Sequence, residues 1–357
     1  MTSSTDPARE ESRPVRAEDA FDVTALATWL DRGPISEVRQ FPGGASNLTY
    51  LLRMASGPEL ILRRPPRGTK AKGAHDMGRE YRLQAGLAPY FAKVAPMVAY
   101  ADESQSPLGA EFYVMERVDG VIPRKEFGFP VSEQQASDLC RAYLDTLVDL
   151  HALDVAAIPV LTELAKGEGY VERQMTGWVR RFEAARTDDT GDWSDVIGWL
   201  QAHQPADVAQ CLVHNDYRFD NMVLDSADPT RIVALLDWEL ATVGDPLMEL
   251  GNCLTYWVQP DDDEFLLALR RQPTTTPGMW TRAQLVETYL ERTGYDPTPQ
   301  ALLFYEVFGQ FRLAVIAQQI YYRYFHGQTT NEAHAGFGAA VSYLESRSRR
   351  MLDEAKP

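Results

Sequence analysis

The segment His214-Asn-Asp-Tyr-Arg-Phe-Asp-Asn221 lies between two short apolar runs in the second half of the chain. It places an aspartate, Asp216, five residues before the asparagine that ends it. The runs on either side have the composition of short buried strands, so the polar residues belong to a loop at a strand end. The Asp216 carboxylate could orient a substrate hydroxyl and accept its proton. His214 could brace the loop by hydrogen bonds to its backbone.

A second carboxylate ends the next predicted strand, Ile232-Val-Ala-Leu-Leu236. Asp237 follows this apolar run, where a carboxylate is costly to bury unless it is paired or binds a metal. An aspartate, a downstream asparagine and a further strand-end aspartate are typical of phosphoryl-transfer sites. We therefore predict Asp216 and His214 as catalytic residues, with Asn221 and Asp237 as ligands of Mg²⁺. The structural alternative is a plain turn followed by a strand-end carboxylate.

The first third of the chain has the period-two apolar runs of a β-sheet. Helices are predicted at 21–32 and at about 76–87, and strands are predicted at 47–53, 60–63, 94–100 and 111–118. From residue 132 onward, long stretches have helical spacing instead. The Pro- and Thr-rich loop 272–278 is the segment of the helical part predicted to be flexible.

These patterns predict an α+β protein of two lobes. Residues 1–20 are polar and are predicted to form a disordered tail. Residues 21–118 are predicted to form a small antiparallel β lobe for nucleotide binding, and residues 119–357 are predicted to form a larger helical lobe for catalysis and acceptor binding.

Charge and composition limit the classes of partner. Acidic side chains outnumber basic ones, 51 to 35, for a net charge of −16, which disfavours binding to nucleic acids and anionic membranes. The three cysteines form no CxxC motif, so neither a disulfide framework nor a zinc site is indicated. No signal peptide or membrane-spanning run is visible, and a cytoplasmic location is predicted.

The motif around Asp216, followed by Leu236-Asp-Trp-Glu239 and Gly244-Asp-Pro246, resembles the aminoglycoside phosphotransferase and choline kinase-like family. That family has a bilobal protein-kinase-like fold. The resemblance implies ATP or GTP as phosphoryl donor, Mg²⁺, a small-molecule hydroxyl acceptor and an active site between the lobes. It leaves the oligomeric state open.

The same resemblance implies a set of nucleotide contacts in the small lobe. The family's phosphate-covering loop corresponds to Pro42-Gly-Gly-Ala-Ser-Asn47, and the family's strand lysine is replaced here by Arg63 or Arg64, of which we favour Arg63. Its acidic partner would be Glu80. Backbone groups near Glu116 and Val118 would pair with adenine. The residues implied to bind the nucleotide are therefore Gly43, Gly44, Ser46, Asn47, Arg63, Glu80, Glu116 and Val118.

Three hypotheses about the function follow. Leu62-Arg-Arg-Pro-Pro66, Gly169–Gln174 and Ile320–Tyr324 resemble a sub-branch found fused to, or beside, acyl-CoA dehydrogenases, which implies a hydroxyacyl-CoA acceptor. Cations that would suit such an anion are Arg67, Lys70, Lys72, Arg173, Arg180 and Arg181. An aminoglycoside or choline-type kinase would instead use the acidic cluster Asp261–Glu264, unless that cluster is the first turn of a helix. The missing lysine also allows a catalytically degenerate nucleotide-binding module.

Overall fold

The computed structural model describes residues 12–42, 47–66 and 76–356. Its strands are β1 (Arg13–Pro14), β2 (Ile35–Gln40), β3 (Leu48–Met54), β4 (Leu60–Arg64), β5 (Met97–Ala101), β6 (Phe112–Glu116), β7 (Cys211–Val213), β8 (Met222–Leu224), β9 (Ile232–Leu235) and β10 (Thr242–Gly244). Its α-helices are α1 (Val23–Leu30), α2 (Met77–Leu87), α3 (Glu133–His151), α4 (Pro159–Leu164), α5 (Tyr170–Ala184), α6 (Ser194–Ala202), α7 (Pro246–Tyr256), α8 (Glu264–Leu269), α9 (Arg282–Thr293), α10 (Pro299–Phe325) and α11 (Gly336–Glu354).

The small lobe is a six-stranded antiparallel sheet in the order β1-β2-β3-β4-β6-β5. Side chains alternate between its two faces along each strand. One face, with Leu60 and Leu62, packs on α1, and the other, with Ile61, packs against α2. Arg63 therefore lies on the α2 face and Arg64 on the α1 face.

Residues 12–20 differ from the predicted disordered tail. Arg13–Pro14 pairs with the end of β2, and Asp19 is only 7% exposed. Asp19 accepts a hydrogen bond from the Gln40 amide at 2.9 Å, while its backbone carbonyl accepts one from Arg64 at 2.5 Å. These buried polar contacts hold the segment on the sheet, and the local sequence does not reveal them. Residues 1–11 lie outside the described part of the chain.

The large lobe is helical and encloses two small antiparallel sheets, β7–β10 and β8–β9. Its core is built from α3, α7 and α10 around these strands. The strands before and after the predicted catalytic loop are present, whereas β10 was not predicted because three residues show no periodicity. The loop 272–278 is packed rather than free: Gln272 is fully buried and bonds to the Phe219 N–H at 2.8 Å.

The predicted α+β architecture, a small antiparallel lobe and a larger helical lobe, is confirmed. Among the described helices, none combines the length and the apolarity that crossing a bilayer would require.

Candidate active site

A cavity of about 560 Å³ lies between the two lobes. The small lobe contributes Asn47, Arg63 and the segment 115–118, and the large lobe contributes Asp216, Arg218, Asp220, Asn221 and Asp237. Asn215 and Asp237 both have left-handed backbone conformations, with φ of 64° and 66°. Such conformations are uncommon outside glycine and are held only when the surrounding structure requires them.

The Asp216 carboxylate is fixed from two sides. The Asn221 amide nitrogen donates to Asp216 Oδ2 at 2.8 Å and to the Asp216 carbonyl at 2.9 Å. The Arg218 Nε lies 3.0 Å from Asp216 Oδ1 and 3.4 Å from the Asp220 carboxylate. Burial opposes the charge on Arg218, but these two carboxylates raise its pKa well above the ordinary value. The carboxylate is thus held in one orientation at the cleft surface.

Asn221 and Asp237 lie at the same end of the β8–β9 hairpin. Asn221 immediately precedes β8, Asp237 follows β9, and the Leu236 N–H donates to the Asn221 carbonyl at 2.8 Å. Both of these Asn221 side-chain hydrogen bonds to Asp216 are made by the amide nitrogen. The amide oxygen takes no part in them and can serve as a metal ligand. A carboxylate and a carboxamide oxygen are the hard ligands that Mg²⁺ prefers, with substrate phosphates and water completing its shell. The two residues fit a magnesium ion.

Arg63 joins the lobes above this pair. Its Nη1 donates to Glu80 Oε1 at 2.7 Å, and its Nη2 donates to Asp237 Oδ1 at 2.9 Å. The Tyr113 hydroxyl also donates to Glu80 Oε1, at 2.8 Å. Burial acts to lower the pKa of Arg63, but these negatively polarised neighbours raise it well above its ordinary value. Arg63 and Glu80 therefore form the predicted pair.

Arg64 takes a different role. It lies on the other face of the sheet, where it donates to the Tyr50 hydroxyl at 2.9 Å and stacks over the Phe21 ring at 5.3 Å. The sequence alone could not choose between the two arginines, because adjacent strand residues face opposite sides.

The other predicted nucleotide contacts have different outcomes. Glu116 and Val118 line the cleft, and the Glu116 N–H donates to the Pro96 carbonyl at 2.9 Å. Asn47 also lines the cleft, and its amide donates to Glu239 Oε2 of the large lobe at 3.0 Å. Gly43, Gly44 and Ser46 lie outside the described residues.

His214 is buried behind the cleft, with 1% of its surface exposed. Its Nε2 bonds to the Leu236 carbonyl at 3.0 Å, just before Asp237. The predicted catalytic role of His214 stays a prediction, and the hydrogen bond that its ring makes is with the backbone. It braces the strand end that carries Asp237 rather than its own loop.

Glu249 was missed by the sequence reasoning. This buried α7 carboxylate accepts the His214 N–H at 2.9 Å and the Asn215 N–H at 2.5 Å. The His151 Nε2 lies 2.9 Å from it. Burial acts to raise the pKa of Glu249, but the His151 hydrogen bond and charge hold it below its ordinary value. One feature of the sequence could have indicated this residue: Glu249 is an acidic residue inside the otherwise apolar run that follows Gly244-Asp-Pro246.

Arg218, Arg124 and Arg271 were also missed as cleft residues. Arg218 lies within the segment 214–221, so the sequence could have predicted its place beside the cleft. Arg124 and Arg271 come from distant loops that Arg270 ties together through the Glu126 carboxylate and the Lys125 carbonyl. Only the tertiary structure brings these two side chains beside Asp220.

The acidic cluster Asp261–Glu264 is used within the protein. Asp262 pairs with Arg282 at 2.6 Å, and Asp263 caps α8 through the Leu266 N–H at 3.1 Å. Arg173 likewise bonds to backbone carbonyls of the loop before α5, Gly167 among them at 2.9 Å. Arg67, Lys70 and Lys72 lie outside the described residues.

Known proteins with similar sequence and structure identify the family. The sequence profile described as the APH phosphotransferase enzyme family matches residues 37–286. Mouse acyl-CoA dehydrogenase family member 11 is 31% identical over 89% of this chain, and mouse acyl-CoA dehydrogenase family member 10 is 33% identical over 90%. The chain spans only 42% and 30% of the length of these relatives.

Solved structures agree with this assignment. A Ralstonia eutropha protein assigned to the aminoglycoside phosphotransferases is 27% identical, with a TM-score of 0.78 over 95% of this chain and 100% of its own. The ADP-bound aminoglycoside phosphotransferase APH(2″)-Ib, at 15% identity, has a TM-score of 0.58 over 93% of this chain and 99% of its own, and shows the fold alone. The chain therefore belongs to the phosphotransferase enzyme family and has its two-lobed protein-kinase-like fold.

Proposed function

We propose that this chain transfers the γ-phosphoryl group of ATP, bound with Mg²⁺, to a hydroxyl of a hydroxyacyl-CoA. The observation that carries the transfer step is the convergence of Asp216, Asn221 and Asp237 on one cleft, with Arg63 reaching Asp237 from the small lobe. The known structure of an ADP-bound protein with this fold supports the choice of an adenine nucleotide.

The nucleotide would lie across the small-lobe side of the cleft. The Glu116 carbonyl and the Val118 N–H are the backbone groups proposed to face adenine. Arg63 would contact the phosphates. Because Glu80 already holds its guanidinium group, the side chain would lose little conformational freedom when the nucleotide binds. Asn221 and Asp237 would hold Mg²⁺, which when bound would neutralise charge on the phosphate oxygens.

Asp216 would act on the acceptor. Its carboxylate orients the substrate hydroxyl and takes its proton as that oxygen bonds to the γ-phosphorus and the bond to the leaving ADP oxygen breaks. Arg218 keeps the carboxylate in place through its ion pair with Asp216. Glu249 holds the backbone of the same loop through two N–H groups.

Two observations support an anionic acceptor over an aminoglycoside. The cleft that contains Asp216 is also lined by Arg124, Arg218 and Arg271, although the whole chain carries a net charge of −16. In the acidic cluster Asp261–Glu264, which would bind a polycation, Asp262 already pairs with Arg282 and Asp263 caps α8. The names of the two mouse relatives add that related chains occur in acyl-CoA dehydrogenase family members.

Steady-state kinetics with ATP and with GTP would test this function on hydroxyacyl-CoA thioesters, choline and kanamycin, with the phosphorylated product identified by mass spectrometry. We expect kcat/KM of at least about 10⁴ M⁻¹s⁻¹ for a thioester and values at least about a hundredfold lower for kanamycin. Efficient kanamycin phosphorylation without thioester turnover would overturn the proposed acceptor class. Nucleotide binding without turnover of any acceptor would support a degenerate module.

A further inference from the structure

Three arginines lie together on the α5 and α10 side of the catalytic loop: Arg180, Arg181 and Arg312. Arg312 is 5% exposed, and its Nη2 donates to the Asn215 carbonyl at 2.8 Å. The guanidinium carbons of Arg181 and Arg312 lie 4.6 Å and 5.3 Å from the centroid of the same ring, that of Trp178. Two cations therefore contact the same indole.

This cluster lacks negative charge. None of its three arginines forms an ion pair with a carboxylate in the part of the chain that the structure describes. Burial, followed by the positive charges of Arg180 and Arg312, lowers the pKa of Arg181. Arg312 is buried, and a buried guanidinium is normally paired with a carboxylate, whereas Arg180 and Arg181 are exposed to solvent. A bound anion would relieve the repulsion.

The cluster also borders the reacting carboxylate. Arg312 holds the residue immediately before Asp216. Tyr256 connects the two regions: the Arg218 guanidinium lies 4.8 Å over its ring, and its hydroxyl is within electrostatic reach of both Arg312 and Asp216. Arg312 is therefore a near neighbour of the Asp216 segment.

We infer that Arg181, Arg312 and Trp178 form an anion subsite that holds a phosphate or carboxylate group of the acceptor while the acceptor hydroxyl faces Asp216. This inference rests on the proposed function and deepens it by naming the residues that select the acceptor. The indole keeps the two guanidinium groups in place and excludes water from one side of each, which strengthens their attraction for an anion.

The test compares Arg181→Ala with Arg186→Ala in the full chain. Arg186 is the matched control, because it is an exposed arginine just beyond α5 that lies 5.8 Å from the Phe182 ring. We expect Arg181→Ala to raise the KM for a hydroxyacyl-CoA by about five- to tenfold, with the KM for ATP and kcat unchanged within about twofold. Arg186→Ala should leave all three constants near those of the wild type.

Direct binding separates this inference from the proposed function. Coenzyme A, inorganic phosphate and a short hydroxycarboxylate are titrated into protein saturated with AMP-PNP and Mg²⁺, so that the nucleotide site is blocked. Trp178 fluorescence reports binding, with Trp178→Phe as the reference. Binding of any probe that weakens in Arg181→Ala but not in Arg186→Ala supports the subsite, even if no thioester is turned over.

The choice of probe identifies the group that is held. Preference for coenzyme A and phosphate indicates a phosphate, and preference for the hydroxycarboxylate indicates a carboxylate. Equal affinities in the wild type and Arg181→Ala, or thioester turnover with an unchanged KM in that variant, would overturn the subsite while leaving the proposed function standing.

Discussion

Individual charged residues in the cleft are each held by more than one neighbour. Asp216 is fixed by Asn221 and Arg218, and Arg63 is shared by Glu80 and Asp237. Shared partners lock side chains before substrate arrives, so little reorganisation is left for the reaction step. Substitutions in this network should therefore affect turnover and nucleotide binding separately.

Asp216→Asn should abolish phosphoryl transfer. The amide keeps the shape of the side chain but cannot accept the proton, so we expect kcat to fall by about 10²–10⁴-fold. Nucleotide affinity and thermal stability should stay near wild type, as measured by calorimetry and thermal unfolding. Wild-type turnover by this variant on an acceptor that the enzyme uses well would remove Asp216 from the mechanism.

Arg63→Lys should weaken nucleotide binding although it restores the family's residue. A single ammonium cannot bond to Glu80 and Asp237 at once as the guanidinium fork does. Loss of one charge-assisted hydrogen bond should lower the free energy of unfolding by about 1–3 kcal/mol and raise the KM for ATP. Arg64→Lys, on the opposite face of the sheet, is the control and should leave that KM unchanged. The reverse pattern would assign the phosphate contact to Arg64.

Glu249 should make stability depend on acid pH. Its pKa in the folded protein lies below 4.5, its ordinary value, so its stabilising contribution is present above that pH and is lost as the pH falls below it. Urea unfolding of the wild type should show a larger loss of stability as the pH falls from about 5 to about 3 than unfolding of Glu249→Gln. Glu249→Gln should also lower kcat, because the His214 and Asn215 N–H groups lose a charged acceptor. Identical losses of stability in the two proteins would contradict this role.

At the scale of elements, the close crossing of α7 and α10 supports the catalytic loop. α7 carries Glu249, which bonds to the loop backbone, and α10 carries Arg312, which bonds to the Asn215 carbonyl. Gly251 and Gly309 allow the approach: a Cβ on Gly309 would meet the Thr255 hydroxyl and, at 2.6 Å, the Gly251 carbonyl. The spacing of these two helices therefore sets the position of the loop.

Gly309→Ala should force the two helices apart. Overpacking of this kind costs about 1–3 kcal/mol, and the shift should also lower kcat through Glu249 and Arg312. Gly198→Ala in α6 is the matched control, because an added Cβ there meets nothing within 4 Å. That control should instead gain up to about 1 kcal/mol from its better helix propensity. Chemical unfolding measures both, and equal stability in the two variants would show that the crossing tolerates a methyl group.

At the scale of the whole molecule, the lobes are joined by hydrogen bonds across the cleft. Asn47 bonds to Glu239, Arg63 to Asp237, and Arg79 to the Glu239 carbonyl at 3.1 Å. These contacts connect the small lobe to the segment that follows β9. A ligand that binds Arg63 or Asp237 therefore acts directly on the junction between the lobes.

ATP binding should depend on Mg²⁺. A chain with a net charge of −16 repels a polyanion, and the cation at the phosphate end, Arg63, is already shared by two carboxylates. Calorimetry should show binding at least about tenfold weaker without the metal. Asp237→Ala should remove most of that difference. Equal affinity with and without Mg²⁺ in the wild type would contradict the assignment of Asn221 and Asp237.

The sequence by itself determined the two-lobed architecture and the centre of the site. Strand and helix periods reflect which faces are buried, and they separate a β-rich part from a helical one. Asp216, Asn221 and Asp237 could be predicted because they lie within one short loop-and-hairpin segment, where chain connectivity alone brings them together.

The tertiary structure decided which side of the sheet each strand residue faces and which residues distant in sequence come into contact. It placed Arg63 rather than Arg64 on the cleft side, because facing is set by the sheet's two packing layers. It buried the loop at Gln272 and the segment at Asp19 through polar partners far away in sequence. It also joined Glu249 to the catalytic loop and set Arg181 and Arg312 around Trp178. Contacts between separate elements leave no periodic trace in the sequence, so packing alone brings these charges together.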